Sequence, residues 1–472
     1  MLISVAGCAK EPTTEIISYY ESVPEGVSDS QGSSSDIEST DSADSNVGSS
    51  KQQQTGGSSQ NKPSDREEKK LKGKLELQAF SNGSDDAKGI ESVVESFEKA
   101  NPDLDVTLRI GVNVHSQLLT RWMSGNPTDF VWLNGAGFPT DTIEASGGFY
   151  DLSSWIKTAK VYGSDELIKD RLQDDVLVYN GKKLNKMPIS SGAYGLWYDA
   201  NYFSQNNLSA PQNYEDLKAF TAVAKSKGKS SLCYPGVYSG YLVMGMVVPA
   251  IAAYGDQEWF DKVTGATDPA AFTDKRMKEI LTRLYDLAKD GAFMNGTVQL
   301  NHIESQMEWL NRKSLLIPNG IWLENEMADD TPANFRMKFA ATSLATKSQG
   351  NHIVMYTGTV AVADKGKNRD NALEFLRFLY TDESQKVMCE TEGSIPAIKT
   401  DRSSYKYSDI AKETIDYITG SSVKRVTLKN SWGTVDAEFN NVVNSIVLGE
   451  ITPDKACERL AAACKTKIAE SK

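Results

Sequence analysis

The side chains here with the most to offer another molecule are aromatic rings placed near short amides and carboxylates. The rings in question are Trp132, Tyr194, Trp197, Tyr198, Tyr238, Tyr241, Trp322 and Trp432. A flat ring stacks on the apolar C–H face of a sugar, and amides and carboxylates bond its rim of hydroxyls. Trp132, Trp197 and Tyr198 lie within apolar strand runs and read as core. Tyr194, Tyr238 and Trp322 sit at strand ends or in Gly-flanked loops and read as the lining of a cleft. That chemistry is capture, with no bond broken.

The residue patterns of common catalysts are missing together. The sequence has no GxSxG, no HExxH, no GxxxxGKS/T and no GxGxxG after a strand. His115, His302 and His352 are far apart and lack metal-type spacing, so neither a metal nor a cofactor is expected. Carboxylates are plentiful, which leaves a secreted glycoside hydrolase as an alternative. It would need two carboxylates ~5–10 Å apart across the sugar, and Asp85 with Glu324 is the pair to inspect. A sensory or adhesion carbohydrate-binding module is a third reading.

The segment that must position these rings is residues 187–202, MPISSGAYGLWYDANY. It separates two halves that both alternate short apolar runs with helical patterns. In the first half, residues 74–80 alternate as a strand, and Ile90, Val93, Val94 and Phe97 mark one face of a helix. A second strand at 106–110, a helix at 115–123 and an apolar strand at 130–133 follow. This is the pattern of a parallel sheet covered by helices, whose ligands sit beyond the carboxyl ends of the strands. Two loops fall there: residues 81–86, with Asn82, Ser84 and Asp85, and residues 134–137, with Asn134. In the second half Asn213 and Asp216 start a helix, and CYPGVYSGY carries Tyr234, Tyr238 and Tyr241. A strand at 314–318 leads into Asn319-Gly320-Ile321-Trp322. The chain is expected to cross back at about 340–344 and again near 394–398.

The first 73 residues differ in kind. Met1 to Cys8 reads MLISVAGC, in which Val5-Ala6-Gly7-Cys8 resembles a lipoprotein signal whose cysteine becomes the lipidated residue. Residues 9–73 are rich in Ser, Asp, Gly and Gln, and no aromatic residue occurs from Glu21 to Ala79. Such composition cannot bury enough apolar surface to order itself, so 9–73 reads as a disordered tether. As a coil of ~60 residues it would span ~45 Å. Half the formal charge of −12 lies in residues 9–70, which hold twelve Asp/Glu and six Lys/Arg. No basic patch suggests nucleic acid as a partner. Cys457 and Cys464, seven apart in a helical pattern, would lie ~10.5 Å apart, too far for a disulfide.

Five pieces, in order, resemble the extracellular solute-binding proteins of the maltose-binding-protein type (family 1). They are TDFVW at 128–132 followed by GFYDL at 148–152, YGLWYD at 194–199, LLIPNGIW at 315–322 and EGSIPAIK at 392–399. The resemblance runs from about Lys74 to the C-terminus. It implies an α/β, two-lobe periplasmic-binding-protein-like fold of type II with three inter-lobe crossings, preceded by the tether. Lobe 1 would hold 74–189 and 341–393, and lobe 2 would hold 190–340 and 394–472. It implies a hinge-closing sugar receptor that hands its ligand to the permease subunits of an ABC importer. The receptor would be a monomer held by a lipid on Cys8 at the outer face of a Gram-positive-type membrane. In the family the Trp of the NGxW pattern stacks on sugar, here Trp322. Asn82, Ser84, Asp85 and Asn134 would bind hydroxyls, an aromatic of the second-lobe loop, Tyr238 or Tyr241, would join them, and Trp432 stands where the family uses a residue before the last helices; Tyr194 and Glu324 complete the expected ligand-binding set. Familiar maltodextrin binders supply a carboxylate from the crossing segment, where this chain has Gly192 and Ala193.

Overall fold

The computed structural model describes residues 14–19, 70–81, 85–135, 137–174, 176–428, 432 and 434–470. Helix Asp85–Ala100 shows how local pattern becomes structure. Ile90, Val93, Val94 and Phe97 are each at most 2% exposed. The helix ends at Asn101, whose Nδ2 donates to the Phe97 carbonyl at 2.9 Å, just before Pro102. It packs on β2 (Gly73–Ala79), β3 (Leu104–Ile110) and β4 (Phe130–Trp132), which with β1 (Glu15–Ser18) run parallel in the order β1-β3-β2-β4.

The remaining strands are β5 (Met187–Asp199), β6 (Ser230–Leu232), β7 (Ser314–Gly320), β8 (Met337–Ala340), β9 (His352–Val362), β10 (Ile395–Pro396) and β11 (Lys424–Thr427). Among the described residues all eleven strands join one mixed sheet, its main path running β1-β3-β2-β4-β9-β5-β7-β6. Apolar side chains collect on both faces at each end of that sheet. In lobe 1 Leu77, Phe97, Trp132 and Phe375 pack on one face, and Trp122, Val131 and Phe149 on the other. In lobe 2 Leu217, Met246, Leu284 and Phe439 pack on one face, and Trp197, Trp309, Ile317 and Phe339 on the other.

Two long strands connect the lobes. β5 places Met187 and Ile189 in the lobe 1 core and Leu196 and Trp197 in the lobe 2 cores. Its first half pairs with β9 and its second half with β7 and β8, all antiparallel. β9 makes the return, with Ile353 and Val354 in lobe 2 and Val360 and Val362 in lobe 1. The crossing expected at 340–344 therefore lies further on. β8 pairs with the lobe 2 half of β5, and Leu344 and Ala345 remain in the lobe 2 core. Near 394–398 Ile395 packs with lobe 2 while Ala397 and Ile398 pack with lobe 1, and β10 pairs Ser190 and Ser191. Helices Thr434–Val447 and Pro453–Glu470 add Phe439, Leu460 and Cys464 to lobe 2.

Within the tether expected over 9–73, residues 15–18 form a strand instead, while 9–13 and 20–69 lie outside the described residues. Ile16 and Ile17 give Glu15–Ser18 enough strand character to pair in register with Thr107–Ile110, at the outer edge of the lobe 1 sheet. Cys233, Cys389, Cys457 and Cys464 are buried free thiols.

Candidate functional site

β5 and β9 pass side by side where the two pairs of cores meet, Gly192 opposite Tyr356 and Tyr194 opposite Val354. Gly192 is glycine for a reason of space: a Cβ there would lie 2.2 Å from the Tyr356 hydroxyl. Its lack of a side chain lets the Tyr356 ring lie across the crossing strand. Gly320, at the end of β7, serves Trp322 in the same way, since a Cβ there would enter the indole at 2.0 Å. Tyr241 comes from the short helix Gly240–Leu242.

Four rings therefore converge on the joint. Tyr194 lies 5.4 Å from Trp322, 5.5 Å from Tyr356 and 6.1 Å from Tyr241, centroid to centroid. Trp322 lies 5.1 Å from Tyr356 and 5.9 Å from Tyr241. All are edge-to-face or steeply tilted, and all four are half-buried. Burial raises the Tyr194 hydroxyl to about 12, with the Asp436 carboxylate adding to it. Burial pushes those of Tyr241 and Tyr356 well up too. At neutral pH these hydroxyls keep their protons and can donate hydrogen bonds.

A polar layer lies behind Tyr241. His302, whose ring is 5.1 Å from that of Tyr241, begins helix His302–Leu310, held by a capping box of Asn301 and Glu304. Its Nε2 donates to Glu326 at 2.6 Å, and Gln306 Nε2 donates to the same carboxylate oxygen at 2.6 Å. His302 Nδ1 and Gln306 Oε1 are buried with no hydrogen-bond partner among the described residues.

On lobe 1, the His115 ring Nε2–H donates to the Asn134 carbonyl and Nδ1 accepts from Gln78 Nε2, each at 2.8 Å. Burial lowers the imidazole pKa, against the pull of the Asn134 carbonyl, so the ring is neutral at pH 7. It pins the loop that carries Asn134, whose side chain is exposed. Charge meets from both lobes: Asp436, exposed on helix Thr434–Val447, has its carboxyl pKa raised by partial desolvation and then by Asp141 of helix Thr140–Ala145.

Of the residues expected in the site, Tyr194, Tyr241 and Trp322 come together, while Tyr238 is 47% exposed at a surface turn. Asn82, Ser84, Cys8 and the side chain of Asp85 lie outside the described residues. One expectation is corrected. Trp432 is 3% exposed and packs against Phe439 at 4.7 Å, because it leads directly into the helix that fills the lobe 2 core. Glu324 is half-buried at the start of helix Asp409–Thr419, where the Ser408 hydroxyl and the Ala411 amide pull its carboxyl pKa down. Burial nevertheless keeps its pKa raised. Glu326, two residues on, is the carboxylate that reaches the ring cluster. Sequence reading missed it along with His302, Tyr356, Asp141 and Asp436. Tyr356 alone had a visible signal, the break YTGT inside the apolar run of β9.

The pattern of the bacterial extracellular solute-binding proteins matches residues 81–386. The chain belongs to this family. Among curated relatives of this solute-binding protein, the multiple sugar-binding protein of Streptococcus mutans is 21% identical over 331 residues, 69% of this chain and 76% of that one. The diacetylchitobiose binding protein NgcE of Streptomyces coelicolor is 22% identical over 313 residues, 62% of this chain and 65% of that one. Solved structures share the two-lobe fold. The solute-binding protein RafE in complex with raffinose superposes with TM-score 0.65 at 18% identity, covering 83% of this chain and 99% of that one. A Listeria monocytogenes substrate-binding protein in complex with cycloalternan superposes with TM-score 0.67 at 17% identity, covering 84% of this chain and all of that one.

Proposed function

We propose that this solute-binding protein captures a neutral sugar, mono- or oligosaccharide, between its lobes and delivers it to the permease of an ABC importer. The observation that carries the reading is the group of half-buried rings, Tyr194, Tyr241, Trp322 and Tyr356, at the strands joining the two lobes. Rings there offer stacking faces, and three of them also offer protonated hydroxyls. Lobe 2 supplies Tyr241 and Trp322, with Tyr238 at the rim. Lobe 1 supplies Asn134 and the loop of Asn82, Ser84 and Asp85. The protein works as a monomer with no bond-breaking step, outside the cell and held to the membrane by a lipid on Cys8.

Relatives named for raffinose, diacetylchitobiose and cycloalternan set the panel for a test. The full chain is screened against these and common monosaccharides by thermal shift and tryptophan fluorescence. A ligand at 100 times its Kd adds ~2.7 kcal/mol to stability. A stabilising sugar recovered unchanged after prolonged incubation supports the reading. A panel without any stabilising sugar, or a sugar recovered cleaved, overturns it.

A further inference from the structure

The edge strand β1 bears on how the body is held. It is parallel to β3, with Glu15 opposite Thr107 and Ser18 opposite Ile110. Beyond it the Tyr19 amide donates to the Ile110 carbonyl at 2.8 Å, and the Asn113 amide donates to the Tyr19 carbonyl at 3.0 Å. Arg109 Nη1 donates to the Tyr19 hydroxyl at 2.8 Å, Thr107 donates to Glu15 at 3.2 Å, and Thr14 bonds Glu98. The receiving surface is shaped for this strand. Gly111 lies so close that a Cβ on it would stand 2.5 Å from the Tyr19 carbonyl carbon.

The consequence is one of chain length. Thr14 is six residues beyond Cys8, at most ~22 Å of extended chain. Leu71, the first buried residue of the body after the Ser/Gly/Gln-rich stretch, is 63 residues beyond it, a chain length about ten times greater. Docking also fixes direction. The chain enters lobe 1 at the amino ends of its parallel strands, while Ser81 and Asn134 follow their carboxyl ends.

We infer that residues 14–19 act as a latch: docked on β3, they hold lobe 1 within six residues of the anchor with the cleft-side loops turned away from it, and released, they leave Leu71, 63 residues from the anchor, as the first fixed point of the body. This rests on the lipid-anchor reading of Cys8. Four residues of edge strand, with Ile16 40% exposed, make a contact that can open without disturbing the core behind it.

The test uses the full chain with Cys8 coupled through maleimide to a lipid in vesicles. The four other cysteines are buried, so Cys8 is the thiol to be labelled. A dye on an azido amino acid at exposed position 179 of lobe 1 reports energy transfer to a dye in the bilayer. Hydrogen exchange on the same samples reads residues 14–19. Ile17→Pro releases the latch by removing a strand amide, and Gly111→Ala releases it from the receiving side. The expected result is slowed exchange over 14–19 in the parent, lost in both variants, with at least twofold weaker energy transfer in both. Free exchange in the parent, or unchanged transfer when either variant has freed the strand, overturns the latch. Mass spectrometry of the protein from its own cells decides separately whether Cys8 is lipidated. An unmodified Cys8 removes the anchor reading and leaves the vesicle result standing.

Discussion

Trp322 is a half-buried indole with Tyr194, Tyr241 and Tyr356 around it, and its position depends on Gly320 having no side chain. Trp322→Ala should remove a stacking face at little cost to the fold, since the ring is not in a core. Affinity should fall by about 2 kcal/mol, roughly thirtyfold, and the fluorescence response should vanish while Tm in the absence of sugar changes little. Titration calorimetry decides it; unchanged affinity would place the ligand elsewhere. Gly192→Ala acts on the same cluster from beneath. The new Cβ, 2.2 Å from the Tyr356 hydroxyl, must push a rigid ring aside, costing about 1–3 kcal/mol. The double variant Gly192→Ala with Tyr356→Ala should lose less stability than the two single losses combined, and denaturant melts would show this non-additivity. The NGIW motif made Trp322 legible in the sequence, since a Gly-flanked Trp at a strand end has few structural reasons to be there. Trp432 misled because it too looked like a loop tryptophan. Whether a loop ring points inward depends on a helix packed from far along the chain, here through Phe439.

Elements were easier to read than contacts. Strong periodicity located the helix around Ile90–Phe97, the strands near 74–80 and 314–318 and the segment 187–202, each decided by local pattern. β1 was missed because four residues amid polar sequence give little periodicity, and its partner β3 lies about ninety residues away. The return crossing was misplaced for the same reason. β8 and β9 are separated by eleven residues, and their lobe is set by which half of β5 they pair with. The polar knot joining these edge elements supports a prediction. Glu76 of β2 accepts from Arg121 at 2.8 Å and also bonds Arg109 of β3, which bonds Tyr19. Partial burial pushes the Glu76 pKa up, but the two arginines outweigh it and hold it below the ordinary value. A carboxyl with a depressed folded-state pKa contributes stability above its unfolded pKa, near 4.5. That contribution is lost as pH falls through the lower folded value. Glu76→Gln should therefore destabilise the protein at pH 7 and flatten the loss of stability below pH ~4.5. Urea melts from pH 7 to 3 would show it, and parallel curves for parent and variant would count against the knot.

At the scale of the whole molecule, the two lobes carry like charges toward each other. Asp141 belongs to lobe 1, where its helix packs Ile143 beside Val131, and Asp436 belongs to the lobe 2 helix that packs Val435 and Phe439. The Asp436 carboxyl, exposed on its helix, has its pKa raised by partial desolvation and by Asp141, so the proximity of Asp141 favours its protonated form. Lys467, whose ammonium donates to the Gly265 carbonyl at 2.7 Å, also feels Asp141 and offsets part of the repulsion. The sign follows from linkage. A carboxyl whose pKa is raised when the lobes approach opposes that approach above its raised pKa and ceases to oppose it as pH falls below. A hinge between two states a few kcal/mol apart responds to a repulsion that one state carries and the other lacks. Lowering pH from 7 toward 4 should therefore shift the sugar-free protein toward closure, seen as a smaller radius of gyration in small-angle scattering. Asp436→Asn should be more closed at pH 7 and less sensitive to pH over that range. If the parent and the variant follow the same curve, repulsion between these carboxylates does not hold the lobes apart, and closure is governed by the ring cluster alone.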